Sequence, residues 1–293
     1  MAKNIFYRSL MHIALTLSAL FCLLPFLLLV AGSLTSEREI ALSGYTFFPK
    51  ELNLTAYEYL WRNSDQILRA YGITVFVTVV GTAAGLLITA MLAYPISRRD
   101  FPIRRQLAFY VFFTLLFNGG LVPTYMLYTT VFDIKNTLAA LIVPYLLVNG
   151  FFVILMRTFF TSSIPGEVIE SAYMDGAGEF LIFWRIVMPL SVPVLATVGL
   201  FVSIGYWNDW FNGLIFITDS KLYSIQNMLN RMLLDIEFMK RATQTNLTSV
   251  IADLPSRGMR MAVAVVGVLP IIAAYPFFQK YFVKGLTVGA VKG

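Results

Sequence analysis

Charged residues are scarce in this sequence. Only 13% of the 293 residues are Asp, Glu, Lys or Arg, whereas soluble domains carry roughly a quarter. Hydrophobic residues make up 58% of the chain. This balance excludes a water-soluble enzyme of this size.

Cysteine and histidine are nearly absent, because the chain has one of each, Cys22 and His12. One cysteine excludes an intrachain disulfide, and one cysteine with one histidine cannot build a Cys/His metal centre. A phosphate-binding GxxxxGK[ST] segment is also missing, so the chain has no such loop for ATP. We therefore expect no catalytic residue, no metal site and no cofactor within this chain.

Long uncharged runs dominate the sequence instead. All 28 positions between Arg69 and Arg98 are uncharged, and about 20 apolar residues suffice to cross a hydrocarbon core of about 30 Å. The uncharged runs predict six membrane spans, at about 13–34, 71–97, 107–132, 137–156, 186–208 and 261–278. The first run is longer than the roughly 7 to 15 apolar residues of a secretory signal, so we expect an uncleaved helix. The predicted fold is an all-α polytopic membrane protein with a single domain over 1–293.

The basic residues indicate how these spans are oriented. Four arginines fall within the eight residues 98–105, and short loops rich in Arg and Lys lie on the cytoplasmic side. This places both termini and the loop 157–185 in the cytoplasm. The cytoplasmic segments then hold eleven bases and five acids, whereas the outer segments hold eleven of each. The net charge of +6 therefore reflects how the chain is oriented in the membrane. It indicates a lipid bilayer as partner and gives no reason to expect nucleic acid.

Charged side chains are missing from the six predicted spans. Proton- and sodium-coupled carriers usually bury such groups, so uphill transport would need energy from another subunit. A secondary carrier or channel working without an ATPase remains the alternative. An integral-membrane enzyme is a third interpretation, and it would need a His, Cys or carboxylate cluster at the interface.

Uncharged polar and aromatic side chains are the candidates for a solute pathway. The residues chosen are Asn118, Tyr125, Asn149, Tyr206, Trp207 and Asn208. Each can equally serve structure, because buried amides bond neighbouring helices and aromatic residues anchor spans at the headgroup level. The small residues of Gly81–Gly85 predict close helix packing.

The outer loop 209–260 carries apolar residues spaced three and four apart between Leu222 and Ile236. This spacing predicts an amphipathic helix, which would lie on the membrane surface, against a partner, or on the chain's own spans. We expect parts of this loop to contact an extracytoplasmic protein.

The segment between Ser163 and Glu179 predicts a short helix followed by a turn. Ser163 is a candidate helix cap, and Pro165 suits the first turn. Val168, Ile169, Ala172 and Tyr173 would share one face. The helix should end at Asp175-Gly176, where glycine can adopt positive φ. Because its side chains are small, this segment forms a low protrusion that can fit a groove on another protein.

This segment resembles the EAA loop of inner-membrane permease subunits in binding-protein-dependent ABC importers. The resemblance covers about ten positions within 170–193, among them Glu170-Ser171-Ala172 and Asp175-Gly176-Ala177. Ser171 replaces the family's common second alanine and Met188 its common leucine. The residues that the resemblance assigns to contact with an ATPase subunit are Glu170, Ser171, Ala172, Asp175, Gly176, Ala177 and Gly178.

Further segments are similar to the carbohydrate-importer permeases, in particular the group that serves oligosaccharides, including acidic plant and algal sugars of the alginate type. They are Ala93-Tyr94-Pro95, 119–125, 206–211 and the tail 275–285. The resemblance implies a type I importer in a bacterial inner membrane, with two six-span permeases forming a heterodimer, two ATPase subunits and a solute-binding protein. ATP and Mg would be bound by the ATPase subunits.

Overall fold

The computed structural model describes residues 2–62, 64–243, 257–270 and 272–273. The helices are, in chain order, α1 (Ala2–Ser33), α2 (Glu37–Ser43), α3 (Thr55–Arg62), α4 (Ser64–Ser97), α5 (Arg104–Leu116), α6 (Leu121–Met126), α7 (Ala139–Ile142), α8 (Gly150–Ser163), α9 (Gly166–Met174), α10 (Glu179–Ile182), α11 (Met188–Leu190), α12 (Val192–Trp207), α13 (Phe211–Phe216), α14 (Ile225–Thr243) and α15 (257–270). Two π-helical segments, Leu127–Val131 and Phe183–Val187, extend α6 and α10. No β-strand occurs within the described ranges, so the all-α prediction is confirmed.

The chain divides into two compact units. One comprises Met1–Ile67 with Leu229–Ile272, and the other comprises Leu68–Met228 with Ala273–Gly293. In the first unit, the Glu37 carboxylate accepts the backbone N–H groups of Arg257 and Gly258 at 2.9 and 3.2 Å. Glu37 thereby caps the start of α15. The hydroxyls of Ser33 and Tyr57 lie 2.7 Å apart and join α1 to α3.

Two helices are long and apolar enough to cross a membrane unbroken: the Tyr7–Ser33 part of α1, and α4. Three further pairs of helices pass the same test only when each pair is joined, and each pair is bent by more than 40° at a short break. The described residues therefore supply two such helices, or up to five spans if each bent pair is one span. The first two predicted spans are thus continuous helices, but six straight spans are not confirmed. The last predicted span, 261–278, begins in α15, and residues 271 and 274–278 lie outside the described residues.

The third predicted span, 107–132, is divided. Helix α5 ends at Leu116, α6 begins at Leu121, and the α6 segment extended to Val131 bends away from α5 by 114°. Gly120 has a φ of +86°, which a glycine adopts without steric cost, and Pro123 starts the new helix within its first turn. The two glycines of the Gly-Gly-Leu-Val-Pro run therefore form the turn, and the remaining three residues begin α6.

The fourth predicted span, 137–156, also contains a break. Only α7 and the first half of α8 are helical, and the chain between them passes through Pro144 and through Tyr145 at a φ of +64°. Proline cannot donate the backbone hydrogen bond that would continue α7. The fifth predicted span is bent by 79° between α11 and α12, where Pro189 and Pro193 flank the bend.

Side chains from distant segments pair with the carbonyl groups around the break at Pro144. The Tyr206 hydroxyl donates to the Ile142 carbonyl at 2.8 Å, and the Asn212 amide donates to the Pro144 carbonyl at 2.9 Å. Unpaired backbone groups in an apolar interior cost several kcal/mol each. These two bonds therefore allow the chain to leave the helix at this point.

Close packing in the second unit depends on the predicted Gly81–Gly85 surface of α4. A Cβ at Gly81 would lie 2.7 Å from both Cε atoms of the Tyr206 ring, and one at Gly85 would lie 2.8 Å from the Leu147 carbonyl oxygen. Neither position has room for a side chain. The predicted small-residue packing surface is confirmed.

The outer segment 209–260 contains the predicted amphipathic helix as α14. Ile225, Met228 and Leu229 are buried by the chain itself, whereas Leu234 is about half exposed. The expected alternative of packing on the protein's own helices is therefore correct for the first part of α14. Residues 244–256 of this loop lie outside the described residues.

We predict that Gly81→Ala destabilises the protein, by roughly 1–3 kcal/mol, because the new methyl group overpacks the Tyr206 ring. The matched control is Gly72→Ala in the same helix, where nothing lies within 4 Å of an added Cβ. Thermal unfolding of the purified proteins in detergent measures the difference. Equal midpoints for the two variants would contradict this account of the packing.

Candidate functional site

Helix α9 begins directly after a proline. Because Ile164 precedes Pro165, its backbone is pushed away from the helical region, and α8 ends at Ser163. The N-cap of α9 is Pro165, with no side-chain hydrogen bond, and Glu167 lies in the first turn. The prediction that Ser163 caps this helix is therefore wrong, whereas the position of the helix is confirmed.

The two faces of α9 differ from the predicted pattern. Ile169 and Ala172 are buried, at 7% and 9% exposure, but Val168 and Tyr173 are 41% and 37% exposed. Only two residues of the expected four-residue apolar face are thus buried. The exposed face includes Glu170 and Ser171.

A glycine turn ends α9 at the predicted place. The Gly176 N–H donates to the Tyr173 carbonyl and the Ala177 N–H donates to the Ala172 carbonyl, both at 2.9 Å. Gly176 has a φ of +80°. This pair of bonds is the Schellman motif, which requires a left-handed residue after the helix cap.

Two large apolar side chains beside this turn are exposed. Met174 is 89% exposed and Phe180 is 74% exposed, and they flank Asp175, Gly176 and Gly178, which are also exposed. Neither residue is among the predicted contacts, although bulky apolar side chains next to a run of small ones were a usable signal. Apolar side chains that lie together at a turn are typical of a surface that meets lipid or another protein. We call residues 170–180 the α9 knob.

A hydrogen-bonded carboxylate connects the α9 knob to α4. The Tyr94 hydroxyl at the end of α4 donates to Glu179 Oε2 at 2.6 Å, and the Tyr173 hydroxyl donates to Glu179 Oε1. Bonds to an ionised acceptor are about twice as strong as neutral ones. Glu179 thus joins α9, α10 and α4 at one point, and Tyr94 belongs to the Ala-Tyr-Pro motif quoted above.

Arg98 makes a second connection between the same elements. Its guanidinium donates to the Tyr173 hydroxyl at 3.3 Å and lies 5.4 Å from the centre of the Tyr173 ring. Arg98 also forms a bidentate salt bridge with Asp100, in which Nε and Nη2 donate to the two carboxylate oxygens at 3.0 and 2.8 Å. The arginine-rich loop therefore contacts the α9 knob directly.

The protonation states suit this network. Burial and the hydrogen bond to Glu179 raise the pKa of Tyr173 to about 12, so its hydroxyl keeps its proton at neutral pH. The hydrogen bond from Arg98 lowers the pKa of Asp100, which stays ionised. Among the described residues no group of three or more His, Cys, Asp or Glu side chains is arranged to hold a metal ion.

The three asparagines predicted for a solute pathway bond to nearby backbone. Asn118 accepts the Gly120 N–H and Asn149 accepts the Phe151 N–H, both at 2.9 Å. Asn208 donates to the Ile204 carbonyl at 2.9 Å. Each bond stabilises a turn or a helix end within the asparagine's own segment, whereas the structural alternative expected for them was a bond to a neighbouring helix.

The aromatic pathway candidates make ring contacts. Tyr206 is 2% exposed and packs on Gly81, and Trp207 lies 6.4 Å from the Tyr71 ring. The ring of Tyr125 stacks on Phe216 at 5.8 Å. Tyr206, Trp207 and Asn208 lie together at the end of α12. Asn118 and Asn149 lie in separate breaks, and Tyr125 in α6.

A family model described as "Binding-protein-dependent transport system inner membrane component" matches residues 1–288. The chain belongs to this family of inner-membrane transport components. Membership implies a permease that works with a second permease, an ATPase and a solute-binding protein, and it overrules the alternatives of an independent carrier, a channel or an enzyme.

Individual relatives agree with this membership. The chain is 41% identical over 272 residues to Protein LplC of Bacillus subtilis (strain 168), covering 92% of this chain and 90% of the relative. It is 35% identical over 293 residues to the polygalacturonan/rhamnogalacturonan transport system permease protein YtcP of the same organism, covering 99% and 100%.

A solved structure also matches nearly the whole chain. It is described as a bacterial ABC transporter involved in the import of the acidic polysaccharide alginate, and its matching chain is 27% identical with a TM-score of 0.78. The match covers 96% of this chain and 98% of that one. The predicted permease fold of an ABC importer is therefore confirmed, and so is the non-catalytic nature expected of a permease subunit.

We predict that Glu179→Gln in this permease lowers uptake in the assembled importer by roughly fivefold or more, because one amide oxygen cannot replace two carboxylate acceptors for Tyr94 and Tyr173. The control is Glu167→Gln, an exposed glutamate of the same segment with no side-chain bond among the described residues. Uptake and ATP hydrolysis are measured together in proteoliposomes. Unchanged uptake with Gln at 179 would contradict a role for this link.

Proposed function

We propose that this permease forms half of the translocation pathway of an ATP-driven importer for an acidic oligosaccharide. It would pair with a second, non-identical permease above two ATPase subunits and receive its solute from an extracytoplasmic binding protein. The observation that carries the coupling role is the α9 knob, which exposes Met174 and Phe180 while Glu179 bonds it to α4.

The α9 knob is well placed to transmit movement from an ATPase subunit to α4. Residues Glu170, Ser171, Asp175, Gly176 and Gly178 are exposed and available to a groove in an ATPase subunit. Ala172 is buried and Ala177 is half-buried, so these two act by shaping the knob rather than by touching the partner. A shift of the knob reaches α4 through hydrogen bonds, and ATP would favour one of two arrangements of the spans.

The contacts of Arg98 support the proposed orientation. Arg98 belongs to the arginine-rich loop, and it touches Tyr173 of α9. The loop that the positive-inside rule assigns to the cytoplasm and the proposed ATPase contact thus share one side of the membrane. Both termini would then also be cytoplasmic.

The proposed solute follows from the relatives. Polygalacturonan and alginate, which two of them are named for, are both polymers of uronic acids. The pathway candidates at the end of α12, Trp207 and Asn208, would line the route at its outer end. We further propose that exposed parts of the loop 209–260, including Leu234, contact the binding protein.

We predict that Gly176→Val uncouples ATP hydrolysis from uptake. Valine at a φ of +80° carries a steric penalty of about 1–2 kcal/mol, which distorts the turn of the knob. Gly166→Val is the matched control, since that glycine also has open space around it but no positive φ. Uptake per ATP in the assembled importer should fall for the first variant only. Full coupling in the Gly176 variant would contradict the coupling role.

The solute class has a separate test. ATP hydrolysis by the reconstituted importer should rise with binding protein loaded with oligogalacturonate or oligoalginate, and less with a neutral oligosaccharide of equal length. Stimulation by neutral sugars alone would refute the acidic solute while leaving the coupling role intact. Absence of stimulation by the uronates would also count against the proposed class.

A further inference from the structure

A basic cavity lies where the arginine-rich loop meets α5 and α8. Its volume is about 260 Å³. Its charged lining consists of Arg99, Arg104, Arg105 and Arg157. Ser97 and Thr161 add hydroxyl groups. Four cations around one small cavity repel one another unless an anion joins them.

The charges of this lining are only partly balanced in the described part of the chain: Arg104 donates to the Arg98 carbonyl at 3.4 Å, and its charge also acts on the Asp100 carboxylate. There, the one ion pair joins Arg98 to Asp100, which leaves the four lining arginines without a salt bridge. Arg104 and Arg105 occupy the first turn of α5, which has no acidic residue and no side-chain cap. Cations are unfavourable at that end of a helix, whereas an anion is stabilised there.

An apolar groove continues from this cavity. Its volume is about 320 Å³, and it shares Ile96, Ala108 and Arg157 with the basic cavity. The remaining lining residues are Val111, Phe112, Val153 and Ile154. Arg104 and Phe112 are eight residues apart on α5, which corresponds to about 12 Å along the helix. The site therefore offers positive charge at one end and a hydrocarbon surface leading away from it.

We propose that this composite site binds an anionic phospholipid, with the phosphate among the four arginines and an acyl chain in the groove between α5 and α8. Basic pockets between membrane helices suit such headgroups. A free phosphate or nucleotide would use the arginines but would have no need of the groove. The proposal requires only that the chain is embedded in a membrane, so it does not depend on the proposed solute.

The charge requirement is tested on the permease purified with its partner subunits. Native mass spectrometry measures binding of phosphatidylglycerol and of phosphatidylcholine. We expect preference for phosphatidylglycerol, about fivefold weaker binding in Arg157→Gln, and more than tenfold weaker binding in the double variant Arg105→Gln/Arg157→Gln. Arg69→Gln is the matched control, because Arg69 is exposed near the opposite end of α4. Equal loss in the control would overturn the site.

The groove requirement distinguishes a lipid from a small anion. Ala108→Phe fills the junction of the two cavities, so it should weaken binding of phosphatidylglycerol. It should leave unchanged the binding of inorganic phosphate at the four arginines, measured by its competition with the lipid. If inorganic phosphate displaces the lipid completely and Ala108→Phe has no effect, the site takes small anions and the proposal fails. It also fails if the Arg157→Cys variant crosslinks efficiently to a partner subunit, because a protein would then cover the cavity.

Discussion

The structure depends on pairing backbone polar groups in an apolar surrounding. A straight helix pairs its own groups, but the spans of this chain are broken at 117–120, near Pro144 and at Ser191. Every break releases N–H and C=O groups that lipid cannot satisfy. Tyr206 and Asn212 reach across to the carbonyls of Ile142 and Pro144. The break near Pro144 is thus stabilised by two specific side chains from distant helices.

Because of this constraint, several residues predicted for the solute pathway have a structural role. Tyr206 can bond Ile142 only because Gly81 has no side chain, so the α4 surface and the break in the fourth span depend on each other. Asn118 and Asn149 pair with N–H groups at the edges of breaks. A polar residue in a membrane span can therefore be required by the fold before any solute is present.

Two charged residues, Glu179 and Arg98, connect the end of α4 to α9. Glu179 accepts hydroxyl groups from α4 and α9, and Arg98 adds a contact to Tyr173 beside its pair with Asp100. Charge-assisted bonds have defined directions, so they transmit a displacement better than apolar contacts that can slide. The neighbouring arginines have no salt bridge within the described residues and form the basic cavity. One loop thus serves both the α9 knob and the membrane interface.

The sequence by itself determined the membrane class, the position of α9 and its end at Gly176, because uncharged runs and a glycine turn are local properties. The family resemblance rested on local motifs in the same way. Only the tertiary structure decided where the third to fifth spans break, that Ala172 is buried while Met174 is exposed, and that Tyr94 and Arg98 meet α9. The break near Pro144 and the contacts of Tyr94 and Arg98 involve partners 64 to 85 positions away. Hydrophobic periodicity carries no information about which distant side chain will satisfy a given backbone group.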